Sequence, residues 1–366
     1  AAYLELWHAG FLGAGIINPL NLRLAPKELA YILADSGSEV VFTDATFAPL
    51  VEQATAEMGS DGRVRRVVLL GDGDVPHDTA YESLLEAAKP ELPPEPEETD
   101  PVVLMCTGGT TGLPKGVLQE HRAEMLNTYH AAMTVAGFRP EAYLLQTPMF
   151  HAASMTGILL SGLYGGKAVI VPMFEPGAVL DRIEDEQVSD TLRVPTMIGM
   201  CLSHPDYRPE RLASLQRLVY GASPMPEAVL DRLLQDLPQT DLIQGYGMTE
   251  SCSTVSLLTA EDHVPGSPRL RSVGRPTLGV QVQIRDEDDR PLPRGEIGEV
   301  CIRGGQLLRE YWNKPEATAE ALRGGWYHSG DAGYLDDDGY LFHVDRVKDM
   351  IVTGGENVYS AEVESA

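Results

Sequence analysis

The segment Cys106–Val117 reads CTGGTTGLPKGV, and its residue types point to phosphate. Gly108, Gly109 and Gly112 permit positive φ and a close backbone approach to a ligand. Thr107, Thr110 and Thr111 add hydroxyl donors, and Lys115 adds a point charge that suits a phosphate oxygen. The apolar run Val102–Cys106 precedes this loop, and helical periodicity begins near Glu120. A loop between strand and helix is where backbone N–H groups converge on an anion. The spacing is not that of a GxxxxGKS or GxxxxGKT loop, because Gly116 follows Lys115.

Further along, Gly245–Glu250 reads GYGMTE and combines a ring, a hydroxyl and a carboxylate. The π-face of Tyr246 suits a purine, and the Glu250 oxygens suit a hard cation. Asp331, in HSGDAGY, is an acceptor with room for two donors. Gly221, Ala222 and Ser223 are small residues at a strand end, where a flat ring can approach the backbone. His151 follows Pro148–Phe150 and is a further candidate site residue.

TGGTTGLPKGV resembles the phosphate-loop signature of the adenylate-forming superfamily: acyl-CoA synthetases, aryl-CoA ligases, peptide-synthetase adenylation domains and firefly luciferase. Five later motifs stand in that family's order: PMFH at 148–151, YGAS at 220–223, GYGMTE at 245–250, SGD at 329–331 and DRVKDMIVTGGENVYSAEVE at 345–364. The resemblance spans nearly the whole chain. It implies that Tyr246 stacks on adenine with Gly221, Ala222 and Ser223 opposite, and that Gly245, Gly247 and Met248 line the same nucleotide site. It also implies that Thr249 contacts phosphate, that Thr110 and Glu250 hold Mg²⁺, and that Asp331 accepts both ribose hydroxyls with Arg346 beside it.

The reaction so implied has two halves. A carboxylate attacks the α-phosphate of MgATP, and a thiol, usually of coenzyme A, then displaces AMP. Lys115, the threonine hydroxyls and loop N–H groups stabilise charge on the phosphate oxygens. By resemblance the acyl pocket draws on His151, Met155, Met197, Ile198, Gly221, Gly245 and Met248. These residues are mostly apolar or small, and Val194–Thr196 offers neither a second cation nor an acid. A medium- or long-chain fatty acid is the first expectation, an aryl acid the second, and an amino acid is disfavoured. A carrier protein in place of coenzyme A, luciferase-like oxygenation and a nucleotide-binding module without turnover share the motifs. Lys348 is the pivot of a swinging C-terminal lid by resemblance, and Gly354 and Gly355 border the thiol channel. The lid is expected to continue for about a hundred residues and to carry a further lysine. The chain stops at Ala366, so the lid is expected to be largely missing and adenylation by these 366 residues impaired.

The elements that must position these residues alternate. A helical stretch at 26–35 precedes the run Glu39–Thr43; the run Val67–Leu70 precedes a helical stretch at 80–88. Residues 89–100 hold four prolines, five acids and one lysine, and read as a loop. Strand-like runs recur at Leu144–Thr147, Ala168–Val171, Leu218–Tyr220 and Leu242–Gln244 with helical stretches between them. This predicts an α/β fold with layered, mostly parallel sheets over residues 1–265. Period-two alternation at Val280–Arg285 and Glu299–Arg303 predicts a smaller β-rich subdomain over 266–347, followed by a hinge and the start of the lid at 348–366. The chain has 54 acidic and 28 basic residues, a net charge of −26, which argues against nucleic-acid binding. Its four cysteines share no metal spacing, and no apolar run reaches the roughly 18 residues of a membrane span, so a reduced cytoplasmic setting is expected.

Overall fold

A computed structural model describes residues 1–59, 62–107 and 113–346 and the strand residues 351–353 and 356–358. The chain divides into two compact units, Ala1–His121 with Leu308–Pro315, and Arg122–Leu307 with Glu316–Ala366.

The first unit opens with helix α1 (Ala2–Ala9) and then α2 (Pro26–Ser36). Pro26 pre-sets the first turn of α2, and the Glu28 carboxylate accepts the Ala25 N–H at 2.8 Å. Gly37 ends the helix at φ 67°, a left-handed position that favours glycine. Leu29 and Leu33 of α2 pack with Val51, Ala54 and Met58 of α3 (Ala48–Met58) and with Val41 of β1 (Val40–Asp44). β1, β2 (Arg66–Leu70) and β3 (Thr79–Ala80) form a parallel sheet, and α4 (Tyr81–Ala87) follows. Residues 89–100 form neither helix nor strand, as their prolines predict.

β4 (Pro101–Thr107) and β5 (Lys115–Glu120) then pair antiparallel, with β15 (Glu310–Tyr311) on the far edge of β5. Helix α5 (His121–Thr134) begins where helical periodicity near Glu120 predicts it, but an unexpected strand, β5, separates it from the phosphate loop. The reason is burial on both faces. Val117 and Leu118 are successive residues, so they point to opposite sides of the sheet, and both are buried.

The second unit holds a seven-stranded sheet. β6 (Ala142–Leu145), β7 (Lys167–Ile170), β8 (Asp190–Arg193), β9 (Arg217–Gly221) and β10 (Asp241–Tyr246) are parallel. β11 (Ser256–Leu258) and β12 (Arg275–Pro276) extend the sheet antiparallel, in the order β12-β11-β10-β9-β8-β6-β7. Helices α6 (Met155–Tyr164), α7 (Pro176–Glu186), α8 (Pro195–Leu202) and α9 (Glu227–Asp236) make the crossovers. Val179, Ile183, Ile198, Leu230 and Leu233 of the last three pack with Leu144, Leu218 and Leu242 of the strands. β13 (Gln281–Arg285), β14 (Gly298–Arg303), β16 (Tyr327–Leu335) and β17 (Leu341–Arg346) form an antiparallel sheet in that order. A hairpin, β18 (Ile351–Thr353) and β19 (Glu356–Val358), follows. No described helix is long and apolar enough to cross a membrane.

Candidate active site

In the first unit, Thr107 and Lys115 are cross-strand partners where β4 and β5 meet the phosphate loop. The Thr107 hydroxyl donates to the Lys115 carbonyl at 3.4 Å, and the Lys115 ammonium stands 5.0 Å from the centre of the Tyr311 ring. Gly108, Gly109, Thr110, Thr111 and Gly112 lie outside the described residues. β5, and not a helix, follows the loop. Burial pushes the neighbouring Cys106 thiol up to about 12, so it stays protonated.

In the second unit, the five parallel strands end on one edge, the edge of an open α/β sheet where ligands bind. β9 delivers Gly221, Ala222 and Ser223 there, and β10 delivers Gly245, Tyr246 and the following Gly247–Glu250. Gly221 and Gly245 are register partners. A Cβ on Gly221 would stand 2.1 Å from the Gly245 carbonyl oxygen, and one on Gly247 would stand 1.7 Å from that of Ser253. Packing of backbone on backbone therefore accounts for these two glycines. Gly245 is different: a Cβ there would meet only Leu257, at 3.6 Å. Ala222, Cys252 and Ser253 have φ of 65°, 54° and 109°, strained positions of the kind that gather at functional sites.

Tyr246 reaches a second sheet. Its hydroxyl donates to Asp331 Oδ2 on β16 at 2.6 Å. His343 of β17 stands 3.7 Å from Asp331 Oδ1, and its ring lies 5.9 Å from that of Tyr246. The Asp331 N–H is fixed by Ser329 Oγ at 3.1 Å. The structure thus brings Tyr246 and Asp331 together and adds His343, which the sequence reading missed. No motif marks this histidine; only the β16–β17 pairing places it. Arg346 is the register partner of Asp331 on β17. Lys348, Gly354 and Gly355 lie outside the described residues.

Thr249 and Glu250 sit on a single 3-10 turn, Thr249–Ser251. Helix α5 holds the chain just beyond it: Asn127 Nδ2 donates to the Ser251 and Thr254 carbonyls at 3.2 and 2.9 Å. Gln306 donates to the same two carbonyls, and its own oxygen is 2.7 Å from His130 Nδ1. Glu124 of α5 is 1% exposed, and burial pushes its carboxyl up to about 8, opposed by a hydrogen bond from Cys252.

His151 is exposed, its ring tilted against Phe150 at 4.6 Å. Its loop is tied down by Ser154 Oγ, which donates to the Pro148 carbonyl at 3.0 Å. Met155 and Met197 are buried, and Ile198 is part of the core beneath the sheet. Arg193, which the sequence reading passed over, is the last residue of β8 and is fully buried.

These features can be set beside known proteins. A family description, AMP-binding enzyme, matches residues 1–312. The chain belongs to that family. The chain is 38% identical to the feruloyl-CoA synthase of an Amycolatopsis species over 366 residues, all of this chain and 70% of that protein. It is 37% identical to the long-chain-fatty-acid–CoA ligase FadD13 of Mycobacterium tuberculosis over 357 residues, 98% of this chain and 68% of that protein. Its fold matches the o-succinylbenzoate coenzyme A synthetase of Bacillus subtilis in complex with ATP and magnesium ion, with a TM-score of 0.81 and 28% identity over 99% of this chain and 71% of that one. The resemblance drawn from the motifs is borne out: the AMP-binding enzymes related to this chain are AMP-forming acyl-CoA synthetases of the adenylate-forming superfamily. So is the α/β fold of that superfamily's N-terminal domain.

Proposed function

We propose that this AMP-binding enzyme activates a carboxylic acid with ATP through an acyl-adenylate and then passes the acyl group to the thiol of coenzyme A. One observation carries the reading: Tyr246, at the end of a parallel strand, is hydrogen-bonded to Asp331 of the neighbouring sheet. That pair offers a purine a ring and a ribose a carboxylate. The Asp331 carboxylate, with Oδ2 on Tyr246 and Oδ1 3.7 Å from His343, is the proposed acceptor for ribose hydroxyls. Lys115, Thr107 and the loop 108–112 are assigned to the phosphates, Thr249 to the α-phosphate and His151 to the reacting carboxylate. Ser223, Gly247, Met248 and Arg346 complete the proposed nucleotide contacts.

Mg²⁺ fits the residues present. Glu250 offers hard carboxylate oxygen on a turn held by α5, and one protein carboxylate beside phosphate oxygens is the usual Mg²⁺ arrangement. When bound, the ion neutralises charge on the phosphates. The protein's own part is to place the acid in line with the phosphorus and exclude water.

An acid with an apolar body suits Met197 and Met248, since methionines adapt to irregular apolar shapes. A fatty acyl chain is the first reading and is supported by the likeness to a long-chain ligase. An aryl acid is the second, supported by the likeness to a feruloyl-CoA synthase. The test is ATP–pyrophosphate exchange by the protein carrying the expected C-terminal lid, with a panel of fatty, dicarboxylic and aryl acids. Acid-dependent exchange is expected; ATP binding without exchange for any acid would overturn the reading.

A further inference from the structure

β8 and β9 each carry a buried arginine, at opposite ends of one strand pairing. At the amino end, Arg217 of β9 is in register with Asp190 of β8, and its Nε and Nη2 donate to the two carboxylate oxygens at 2.5 and 3.2 Å. At the carboxyl end, Arg193 of β8 is in register with Tyr220 and is 1% exposed. Its Nε and Nη2 meet no acceptor among the described residues. Cys201 of α8 and Tyr207 lie close enough to feel its charge, but burial keeps both protonated, and the Tyr207 hydroxyl donates to Asp236 at 3.0 Å.

A buried guanidinium without a counter-ion is costly, and such a charge is ordinarily paired. The two atoms left over are informative. Nε and Nη2 form the parallel fork that takes a carboxylate side-on, the geometry Arg217 already makes with Asp190. Arg193 also stands on the carboxyl edge of the parallel strands, next to the Val194–Thr196 segment that leads into the proposed acyl pocket.

We propose that Arg193 receives a second carboxylate, carried at the far end of the acyl substrate, so that the acid activated is a dicarboxylic acid with an apolar body. The proposal rests on the acid-activating reading above and narrows its substrate class. A plain alkyl tail offers the fork no acceptor, whereas a carboxylate offers two. The two ends of the acid are then told apart, one presented to the α-phosphate and the other held by Arg193.

The test uses unreactive acyl-sulfamoyl adenosines in matched pairs, from hexanoyl to decanoyl length, one of each pair ending in methyl and the other in carboxylate. Binding is measured by calorimetry. The carboxylate-ended analogue is expected to bind about tenfold or more tightly at the best length. In Arg193→Leu that preference is lost or reversed while AMP affinity is unchanged, and Arg193→Lys keeps part of it. Equal binding of both members by the unsubstituted chain at every length overturns the proposal, a result that stands even if the variants fail to fold. A preference that survives in Arg193→Leu overturns it as well. If no analogue binds more tightly than AMP, the acid-activating reading itself fails and the proposal falls with it.

Discussion

Two carboxylates in the second unit are set up for different tasks by their surroundings. Asp331 is held by a tyrosine hydroxyl and faces a histidine. Glu124 is buried on α5, and burial pushes its carboxyl up to about 8 from an unfolded value near 4.5. A raised carboxyl favours the folded state while it is protonated, so this contribution is full below about pH 4.5 and is lost as pH rises through about 8. Glu124→Gln removes the titration. Its thermal midpoint is expected to match the unsubstituted protein near pH 5 and to exceed it by about 3 °C near pH 8.5. Parallel midpoints across that range would contradict this. Asp331, Tyr246 and Thr249 were legible in the sequence because each lies in a motif of distinct chemistry. Glu124, Arg193 and His343 were not, because a charged residue in sequence looks alike whether it ends in water or in the core.

The elements follow the sequence where apolar periodicity is unbroken, as in α2, β4, β9 and β10. It fails where polar residues are buried. β8, read from SDTLR, carries Asp190 and Arg193 inside the protein and gives no strand signal in the sequence. β5 was hidden by the glycine-rich loop before it, which suggested a strand-to-helix turn where a hairpin forms. The glycines at the sheet edge divide by element as well. Gly221→Ala drives a methyl into the Gly245 carbonyl at 2.1 Å and must separate β9 from β10. Gly245→Ala meets only an ordinary contact at 3.6 Å. Thermal unfolding is expected to show Gly221→Ala lowered by about 5 °C or more and Gly245→Ala within about 2 °C of the parent. AMP binding separates the roles further: a loss in Gly245→Ala without lost stability assigns its open side to ligand. Equal destabilisation of both would refute the backbone explanation.

Across the whole molecule the charge is −26, yet the proposed ligands are anions. Long-range attraction therefore does not bring ATP in; in the proposed reading binding rests on local groups such as Lys115, and distant charges are screened beyond about 8 Å at physiological salt. Parallel strands of the second unit bring their carboxyl ends to one edge, and the antiparallel sheet adds Asp331 to Tyr246. The central claim is that the acid's own oxygen attacks the α-phosphate. It is tested most directly with an acid labelled in both carboxylate oxygens with heavy oxygen, incubated with the lid-bearing protein, MgATP and coenzyme A. Attack forms the carboxylate oxygen–phosphorus bond and releases pyrophosphate; thiol attack then breaks the acyl carbon–oxygen bond and leaves that oxygen on AMP. Mass spectrometry is predicted to find one labelled oxygen in each AMP and none in pyrophosphate. Unlabelled AMP, or label in inorganic phosphate, would contradict the account.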